Sequence, residues 1–479
     1  MTTISLQEVF ITSVPGETRL ALTEDGRLKD LVIDLDGYES LIGNIYLGRV
    51  DKVVAGMNAA FIDIGRSVSG FLTANDGQLF DPNKQKPKLI NTLFKEGDAV
   101  LVQVTRDESR GKGVKLTTRI EMVGRTTIAV LDRAGISISK SILDIVDRKR
   151  VKLALDEFKT SPIGLIVRTN AQFVSTKVLQ GEAENLLGQI SSILSEQTKR
   201  KPPVCLYKQT SQILEFLRDF GTSDWKRILI DERRAFMKVT EYISDYVPEL
   251  TKKIEFVSDT IPLFEIYDLD QQIEDLFSST IILPSGGRLI IEETEAFICV
   301  DVDSGKDNRD RDVEAFARAV NEEAAIELAR QLVLRNLAGQ IVVDFLPMKR
   351  KKNREYIQSL LARLLSKGCN CNVYGFSKLG LLEMTRQRVG ESLASRFNVK
   401  NVQVRGIRVI AIDMIRAVLR EIDHNPGKIV RVECSHALYV CLKGDMKKIW
   451  AELLNQTGSI IILEEFSDLP RGQFELQTI

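Results

Sequence analysis

Two neighbouring apolar runs are Arg288-Leu-Ile-Ile-Glu292 and Ala296-Phe-Ile-Cys-Val-Asp-Val302, and the short polar turn between them predicts a β-hairpin. After a polar loop, apolar residues recur every three or four positions over Val313–Leu332, which predicts a long helix. The next apolar run, Gln340-Ile-Val-Val-Asp-Phe-Leu346, predicts a buried strand, and a basic helix and a further strand are expected over 349–376. This order predicts a largely parallel sheet with right-handed crossovers.

Aspartates occur at the ends of the two central strands of this sheet. Asp301 and Asp303 close the second strand of the hairpin, and Asp344 closes the next strand. The carboxyl edge of such a sheet is where open α/β folds bind ligands. Two carboxylates at one edge repel each other unless a cation lies between them, and Mg²⁺ is usually held by one or two carboxylates. From the spacing alone, the alternative stays open that each aspartate caps a neighbouring loop or helix.

A basic stretch, Lys349-Arg-Lys-Lys-Asn-Arg354, follows directly after Asp344 and begins the expected helix. Positive charge at a helix N-terminus is unfavourable with the helix dipole, so the run requires a compensating anion. A nucleic-acid backbone is the simplest such anion. The alternative is a solvated helix start.

Residues 38–119 contain short, glycine-punctuated strands at intervals typical of a small β-barrel. Phe61 and Phe71 are its notable aromatic residues. A small barrel can present aromatic rings that stack on the bases of single-stranded nucleic acid. The alternative is that both rings fill the barrel interior.

Composition limits the remaining chemistry of this 479-residue chain, whose length predicts about three domains. Lys+Arg and Asp+Glu both number 66, so a polyanion would have to bind where charge is locally segregated. The two histidines, His424 and His436, exclude a histidine-rich zinc site. No Cys-x-x-Cys, secretory signal or membrane-length apolar run occurs, which predicts a reduced, cytoplasmic protein without a membrane span.

Four motifs in order closely resemble the bacterial ribonuclease E/G family: Ala296-Phe-Ile-Cys-Val-Asp-Val-Asp-Ser304, Ala329-Arg-Gln-Leu-Val-Leu-Arg335, Gly339-Gln-Ile-Val-Val-Asp-Phe345 and Gly380-Leu-Leu-Glu-Met-Thr-Arg-Gln-Arg388. The resemblance implies a single-strand-specific endoribonuclease that hydrolyses RNA with Mg²⁺, or Mn²⁺ as the alternative. It implies products with a 5′-phosphate and a 3′-hydroxyl, and roles in rRNA and tRNA processing and mRNA decay.

The resemblance also implies an α/β multidomain architecture. It predicts an RNase H-like fold (1–37 and 216–278) interrupted by an S1-type OB barrel (38–119) and a 5′-end sensor region (120–215). A DNase I-like catalytic domain (279–400) and a small α+β C-terminal domain (401–479) are predicted to follow.

Residues carried over from the family give three predicted sites. Asp301 and Asp344 match its catalytic, metal-binding aspartates, with Asp303 as a further metal ligand. The RNA-binding residues of the barrel are Phe61, Phe71 and Lys112. Gly124, Arg168 and Thr169 match the pocket that binds a 5′-monophosphate, and the alternative for Arg168 is a surface ion pair.

Three departures from the family pattern matter. Asp303 stands where the family usually has asparagine, so the metal site carries an extra negative charge. Asn370 stands where the sensor draws on an arginine. No cysteine pair occurs near 391–405, so we expect no structural zinc, and a monomer or homodimer rather than the family's tetramer. The rivals are a related RNA-binding protein with weakened catalysis and a metal nuclease acting on DNA.

Overall fold

The computed structural model describes residues 5–36, 40–78, 89–108, 113–259, 261–294, 296–305, 312–366, 371–387, 392–396, 406–458 and 460–479. These residues belong to two compact units. The first unit comprises Met1–Asp36, Ser223–Met237 and Lys253–Ile479, and the second comprises Gly37–Thr222 and Lys238–Lys252.

The described strands, in chain order, are β1 (Gln7–Val14), β2 (Glu17–Glu24), β3 (Arg27–Leu35), β4 (Ile45–Val54), β5 (Ala59–Asp63), β6 (Gly70–Thr73), β7 (Ala99–Arg106), β8 (Lys115–Thr117), β9 (Glu121–Val123), β10 (Thr127–Val130), β11 (Ile136–Ile138), β12 (Gly164–Val167), β13 (Val204–Tyr207), β14 (Ile228–Ile230), β15 (Ile254–Phe256), β16 (Thr280–Ile282), β17 (Arg288–Glu293), β18 (Phe297–Asp303), β19 (Gly339–Asp344), β20 (Cys371–Phe376), β21 (Leu382–Arg386), β22 (Val430–Cys434), β23 (Ile461–Glu465) and β24 (Phe474–Thr478).

The described α-helices are α1 (Ile90–Leu93), α2 (Ile145–Ala154), α3 (Thr176–Lys199), α4 (Gln212–Phe220), α5 (Arg233–Tyr246), α6 (Leu263–Ile266), α7 (Leu269–Glu274), α8 (Val313–Leu334), α9 (Lys351–Leu365), α10 (Leu393–Arg396), α11 (Ile407–His424), α12 (His436–Lys443) and α13 (Lys447–Thr457).

The described residues of the first unit form three sheets. In a five-stranded sheet of order β15-β14-β1-β2-β3, strands β1 to β3 form an antiparallel meander, and β14 and β15 extend it in parallel. A three-stranded sheet of order β23-β22-β24 lies near the C-terminus. It shares one hydrophobic core with the five-stranded sheet and with helix α11. The six-stranded sheet between them in sequence carries the predicted catalytic residues.

This six-stranded sheet has the order β16-β17-β18-β19-β21-β20. The predicted hairpin is confirmed, because β17 and β18 pair antiparallel, and β18 and β19 are parallel neighbours joined through α8. The prediction of a largely parallel sheet is wrong. Strand β21 folds back from β20 and pairs antiparallel with both β20 and β19, so β18–β19 is the parallel pair among the described strands of this sheet.

Helices α8 and α9 cover one face of this sheet and leave the other face open. Alternate sheet residues, among them Leu289, Val300, Val343 and Leu382, pack into one core with Leu328 of α8 and Leu361 of α9. The expected long helix begins where predicted, because the Asp312 carboxylate accepts a 3.1 Å hydrogen bond from Glu314 N at the start of α8. The open face places its side chains in solvent.

The second unit contains a closed barrel and a smaller sheet. Strands β4, β5, β6, β8 and β7 pair in that order and β4 also pairs with β7, which closes five strands into the predicted barrel. The apolar core of the barrel includes Val50, Ile62, Leu72 and Leu116. Beside it in sequence, a four-stranded sheet of order β11-β12-β10-β9 packs against α2 and α3.

None of the helices in the described ranges combines the length and the apolar composition that crossing a membrane requires.

Candidate active site and RNA-binding surfaces

Asp301 and Asp344 lie side by side on the open face of the six-stranded sheet. They are register partners on the parallel strands β18 and β19, and both are exposed. They line a cavity of about 270 Å³ together with Cys299 and Val342. Within the described ranges, neither carboxylate has a hydrogen-bond or ion-pair partner. The structure therefore brings the two predicted catalytic residues together without a counter-charge from the described part of the chain.

The two aspartates lie side by side because they are register partners on neighbouring strands, not because they are buried together. The strand predicted to be buried, β19, is buried on one face, because Ile341 and Val343 face the helices while Asp344 points to solvent. Parallel strands lie about 4.8 Å apart. At that separation two unit charges repel by roughly 1 kcal/mol in water and about four times as much at a typical protein surface. The pair can exist unaided, but a cation between the carboxylates is favoured.

A divalent cation fits the donors at this edge. Asp301 and Asp344 offer carboxylate oxygens, which hard cations such as Mg²⁺ prefer, and two carboxylates leave the remaining positions to water and substrate phosphate. The open cavity provides access to solvent. In the described part of the chain, no group of three or more His, Cys, Asp or Glu side chains is arranged to hold a metal.

Asp303 makes different contacts from its two neighbours. Its carboxylate accepts a 2.5 Å hydrogen bond from Arg288 Nη2 on the adjacent strand, and a 3.2 Å bond from Gly305 N. The hydrogen bond from Arg288 holds the pKa of Asp303 below its ordinary value. The extra negative charge expected from this departure is thus balanced locally by Arg288, and Asp303 would bind a metal only if that ion pair opened.

The anion expected at the start of the basic helix comes from the protein itself. The Glu314 carboxylate accepts hydrogen bonds from Lys349 N at 2.9 Å and Arg350 N at 3.0 Å, and from Asn353 Nδ2 at 2.7 Å. The bonds from the Arg350 and Lys349 amides lower the pKa of Glu314. Glu314 therefore supplies one anion to this helix start from within the chain, and contact of the basic side chains with a nucleic-acid backbone stays a prediction.

On the barrel, Phe61 and Phe71 lie outside the apolar interior. They are register partners on β5 and β6, half-buried, with ring centroids 5.7 Å apart. Their neighbours Ile62 and Leu72 face inward. The structure thus favours the exposed aromatic surface over the alternative that both rings fill the barrel.

Two lysines that the sequence analysis missed extend this aromatic pair into a row. Lys52 is the register partner of Phe61, and Lys115 that of Phe71. Lys115 also forms a 2.9 Å ion pair with Asp76. The sequence spacing could not predict that Lys52 pairs with Phe61, because a bulge in β4 shifts the register. Lys112, the lysine predicted from the family, lies outside the described residues.

Arg168, the predicted sensor arginine, is engaged by protein groups. Its Nη1 donates to Asp219 Oδ1 and to Gly124 O, both at 2.6 Å. Asp219 also accepts a 3.0 Å bond from Arg218 Nη2, so one carboxylate serves two guanidinium groups. Burial opposes the charged form of Asp219, but the bonds and charges of Arg218 and Arg168 outweigh it and lower its pKa. No local pattern in the sequence indicates Asp219 as the partner, since it lies 51 positions after Arg168.

Gly124 is required by the close approach of a carboxylate. A Cβ at this position would lie 2.6 Å from Glu182 Oε1. The Glu182 carboxylate accepts hydrogen bonds from Thr126 N at 2.8 Å and Thr127 N at 3.0 Å, and also from Arg125 N. The backbone amides beside Gly124 therefore already hold an anion.

Of the other residues named for the 5′-end sensor and the zinc site, the structure describes Thr169 and Cys371. The Thr169 hydroxyl lies 3.3 Å from the Ser139 hydroxyl. Asn370 and Cys369 lie outside the described residues, and Cys371 is a half-buried cysteine at the start of β20. The absence of structural zinc stays a prediction.

Comparison with known proteins finds a matching family model and similar proteins for this chain. Residues 121–389 match the model of the ribonuclease E/G family. Ribonuclease G of Haemophilus influenzae is 34% identical over 394 residues, which cover 81% of this chain and 80% of that protein. Ribonuclease G of Escherichia coli K12 is 31% identical over 465 residues, 93% of this chain and 94% of that protein. Ribonuclease E of the same strain is 34% identical over 387 residues, 79% of this chain and 36% of that protein.

Proposed function

The chain belongs to the ribonuclease E/G family, and from this premise we propose that it is an endoribonuclease that hydrolyses single-stranded RNA with a divalent cation held by Asp301 and Asp344. The observation that carries the proposal is the register pairing of these two carboxylates on an open sheet face, without a counter-charge among the described residues. In the cell, such an activity serves rRNA and tRNA processing and mRNA decay.

The two aspartates have a shared role in this proposal. When bound, Mg²⁺ or Mn²⁺ supplies a Lewis acid that polarises the scissile phosphate and activates water for in-line attack. Asp301 and Asp344 fix the position of that charge at the mouth of the cavity, where an RNA backbone can approach from solvent. Attack of water on the phosphorus with the 3′-oxygen as the leaving group gives products with a 5′-phosphate and a 3′-hydroxyl.

The barrel supplies the preference for single strands. Phe61 and Phe71 present ring surface to solvent, and Lys52 and Lys115 flank the rings in one row across the strands. Bases can stack on the rings only when they are not paired in a duplex, and the lysines meet phosphates. Lys112 is proposed to contribute a further phosphate contact.

Sensing of the 5′ end is the conditional part of the proposal. Arg168 can bind a terminal phosphate, with Thr169 next to it in sequence, whereas the amides beside Gly124 are already engaged by Glu182. The ion pair with Asp219 limits phosphate binding, because a phosphate can contact Arg168 only if it shares the guanidinium with that carboxylate or displaces it. A 5′-monophosphate is therefore expected to accelerate cleavage modestly and not to be required.

The rival is an RNA-binding protein of the same family with weakened catalysis. Its support was Asp303 in place of asparagine, and the ion pair of Asp303 with Arg288 reduces that support by balancing the charge. A metal nuclease acting on DNA is the second rival.

One experiment separates these functions. Purified protein is incubated with 5′-labelled single-stranded RNA, with the same sequence as a duplex, and with the matching DNA, each with Mg²⁺ or with chelator. We expect single-stranded RNA to be cleaved only when Mg²⁺ is present. The downstream product should be degraded by a 5′-phosphate-dependent exonuclease. RNA binding without cleavage would favour the first rival, and faster cleavage of DNA the second.

A further inference from the structure

The open face of the catalytic sheet carries aromatic side chains beyond the aspartate pair. Phe297 on β18 and Tyr374 on β20 are 44% and 66% exposed. Neither residue was predicted from the sequence to bind RNA. Large exposed rings on an open sheet face are typical of surfaces on which nucleobases stack.

Register places these rings in one row across the sheet. Phe297 pairs with Gln340 on β19, and Gln340 pairs with Thr385 on β21. The Tyr374 hydroxyl lies 3.3 Å from the Thr385 hydroxyl, so its ring reaches the same row from β20. Residues paired across neighbouring strands project from the same face of a sheet.

A bulge fixes the direction of Tyr374. The register of β20 on β21 shifts between Val373 and Gly375, which leaves Tyr374 as the extra residue. Gly375 has a φ of +116°, a backbone conformation that side-chain-bearing residues rarely adopt. Bulges of this kind re-aim a side chain and are common beside active sites.

The aromatic row is continuous with the catalytic pair. Along β18, the open-face residues are Phe297, then Cys299, then Asp301, and Cys299 lines the same cavity as Asp301. Asp301 lies four positions after Phe297 along the strand, which is about 13 Å. An extended RNA strand of a few nucleotides spans that distance.

Charge on this face indicates that bases, not phosphates, would be held here. Glu292, which also lines the cavity of the aspartate pair, and Glu383 are exposed carboxylates one row nearer that pair, and away from a bound cation they repel a phosphate backbone. Aromatic stacking does not require positive charge. The amide of Gln340 can in addition form hydrogen bonds to a base edge.

We propose that Phe297 and Tyr374 form a base-stacking platform that positions the substrate strand a few nucleotides from the phosphate at Asp301 and Asp344. This inference rests on the proposed function and deepens it. It assigns to the catalytic sheet its own recognition of unpaired nucleobases, in addition to that of the barrel. The platform residues position substrate and take no part in the chemistry.

The test measures binding of a fluorescent single-stranded RNA, with a mapped cut site, in chelator so that it stays intact. Tyr374→Ala is expected to weaken binding about 5- to 30-fold without changing its salt dependence. Phe297→Ala is expected to act in the same direction with a smaller effect. Tyr374→Phe keeps the ring and should bind like wild type, as should Leu379→Ala, which removes an 87% exposed side chain from the turn that follows β20.

Abasic substitution identifies the stacked base. In wild type, removal of one base near the cut site should weaken binding, and in Tyr374→Ala the same removal should have no further effect. Wild-type affinity of Tyr374→Ala would overturn the proposal, as would an equal defect in Tyr374→Phe, which would point to the hydroxyl. Failure of the proposed function appears separately, as wild-type protein that does not cut this RNA in Mg²⁺.

Discussion

The aspartate pair of the catalytic sheet and the arginines around Asp219 are opposite electrostatic arrangements. Asp301 and Asp344 are two like charges in register, with no partner in the described part of the chain. Around Asp219, one carboxylate already joins Arg168 to Arg218. Among the described residues, the first arrangement lacks a counter-charge, and the second has one built into the chain.

The difference teaches what each region requires of a ligand. At the aspartate pair, an incoming cation removes a repulsion and displaces nothing from the described residues. At Arg168, an incoming phosphate must compete with a carboxylate that is held at 2.6 Å. Metal binding should therefore be essential to function, while recognition of the 5′ end should be a modest, adjustable effect.

The largest expected effect is on cleavage by the aspartate variants. Asp301→Asn and Asp344→Asn should each lower single-turnover cleavage of single-stranded RNA by several orders of magnitude, because each removes half of the cation's protein ligands. RNA affinity, measured by fluorescence anisotropy, should stay near wild type.

Asp303→Asn is the matched control on the same strand. It should change the cleavage rate by less than about fivefold, because Arg288 already engages the carboxylate on the protein surface. Near-normal cleavage by either the Asp301 or the Asp344 variant would remove that residue from the site. A defect in Asp303→Asn as large as theirs would make Asp303 a third essential ligand.

The next effect concerns binding at the barrel. Phe61→Ala and Phe71→Ala should each weaken single-strand binding by about 1–3 kcal/mol, because each removes a stacking surface. Met57→Ala, which truncates an exposed non-aromatic side chain of the same barrel, should bind as wild type does. Loss of folding in the phenylalanine variants, with no separate binding defect in a thermal melt and titration, would restore a packing role.

The lysines of the barrel row should act through salt dependence. Lys52→Ala and Lys115→Ala should each lower the slope of log affinity against log salt by about 0.7, as expected for one phosphate contact on a single strand. Lys112→Ala carries the same prediction from the family resemblance. Lys95→Ala alters an exposed lysine outside the row and should leave the slope unchanged, so an equal change there would argue against a specific row.

A smaller effect is expected at the 5′ end. Wild type should cut 5′-monophosphorylated RNA faster than 5′-hydroxyl or 5′-triphosphate RNA, by a few-fold to roughly tenfold, because displacement of Asp219 offsets part of a charge-assisted bond. Arg168→Ala should erase this difference, and Asp219→Asn should enlarge it by freeing the guanidinium. Equal rates on all three ends in wild type and in Asp219→Asn would show that the pocket does not sense phosphate.

The smallest effect is on stability. Asp219→Asn should lower the free energy of unfolding at pH 7 by about 1 kcal/mol, the value of a partly exposed ion pair. The pKa of Asp219 is lowered in the folded state, so its contribution is present above the ordinary value of 3.8 and is lost as pH falls through the folded-state pKa. Urea titrations at several pH values test this, and a difference that grew toward low pH would contradict the sign.

Sequence alone could predict the parts of the site that depend on local order. Asp301 and Asp344 become neighbours because a strand, a helix and a second strand form one crossover between parallel strands. The insertion of β21 beside β19 could not be predicted, because it depends on pairing between strands that the local pattern leaves unspecified.

Contacts between residues that are distant in sequence could not be predicted either. Glu314 caps a helix that begins 37 positions later, at Lys351, and Asp219 pairs with an arginine 51 positions earlier. Lys52 reaches Phe61 only through a bulge that shifts the register by one residue. Each of these contacts follows from tertiary structure and leaves no periodic trace in the sequence.

The most direct test of the central claim is a Mg²⁺ titration of single-turnover RNA cleavage by chelator-treated wild type and Asp301→Asn, side by side. The account predicts that wild type is inactive in chelator and recovers saturably with Mg²⁺, while Asp301→Asn stays near the chelator baseline throughout. Cleavage by wild type without metal, or a wild-type titration curve from Asp301→Asn, would contradict it.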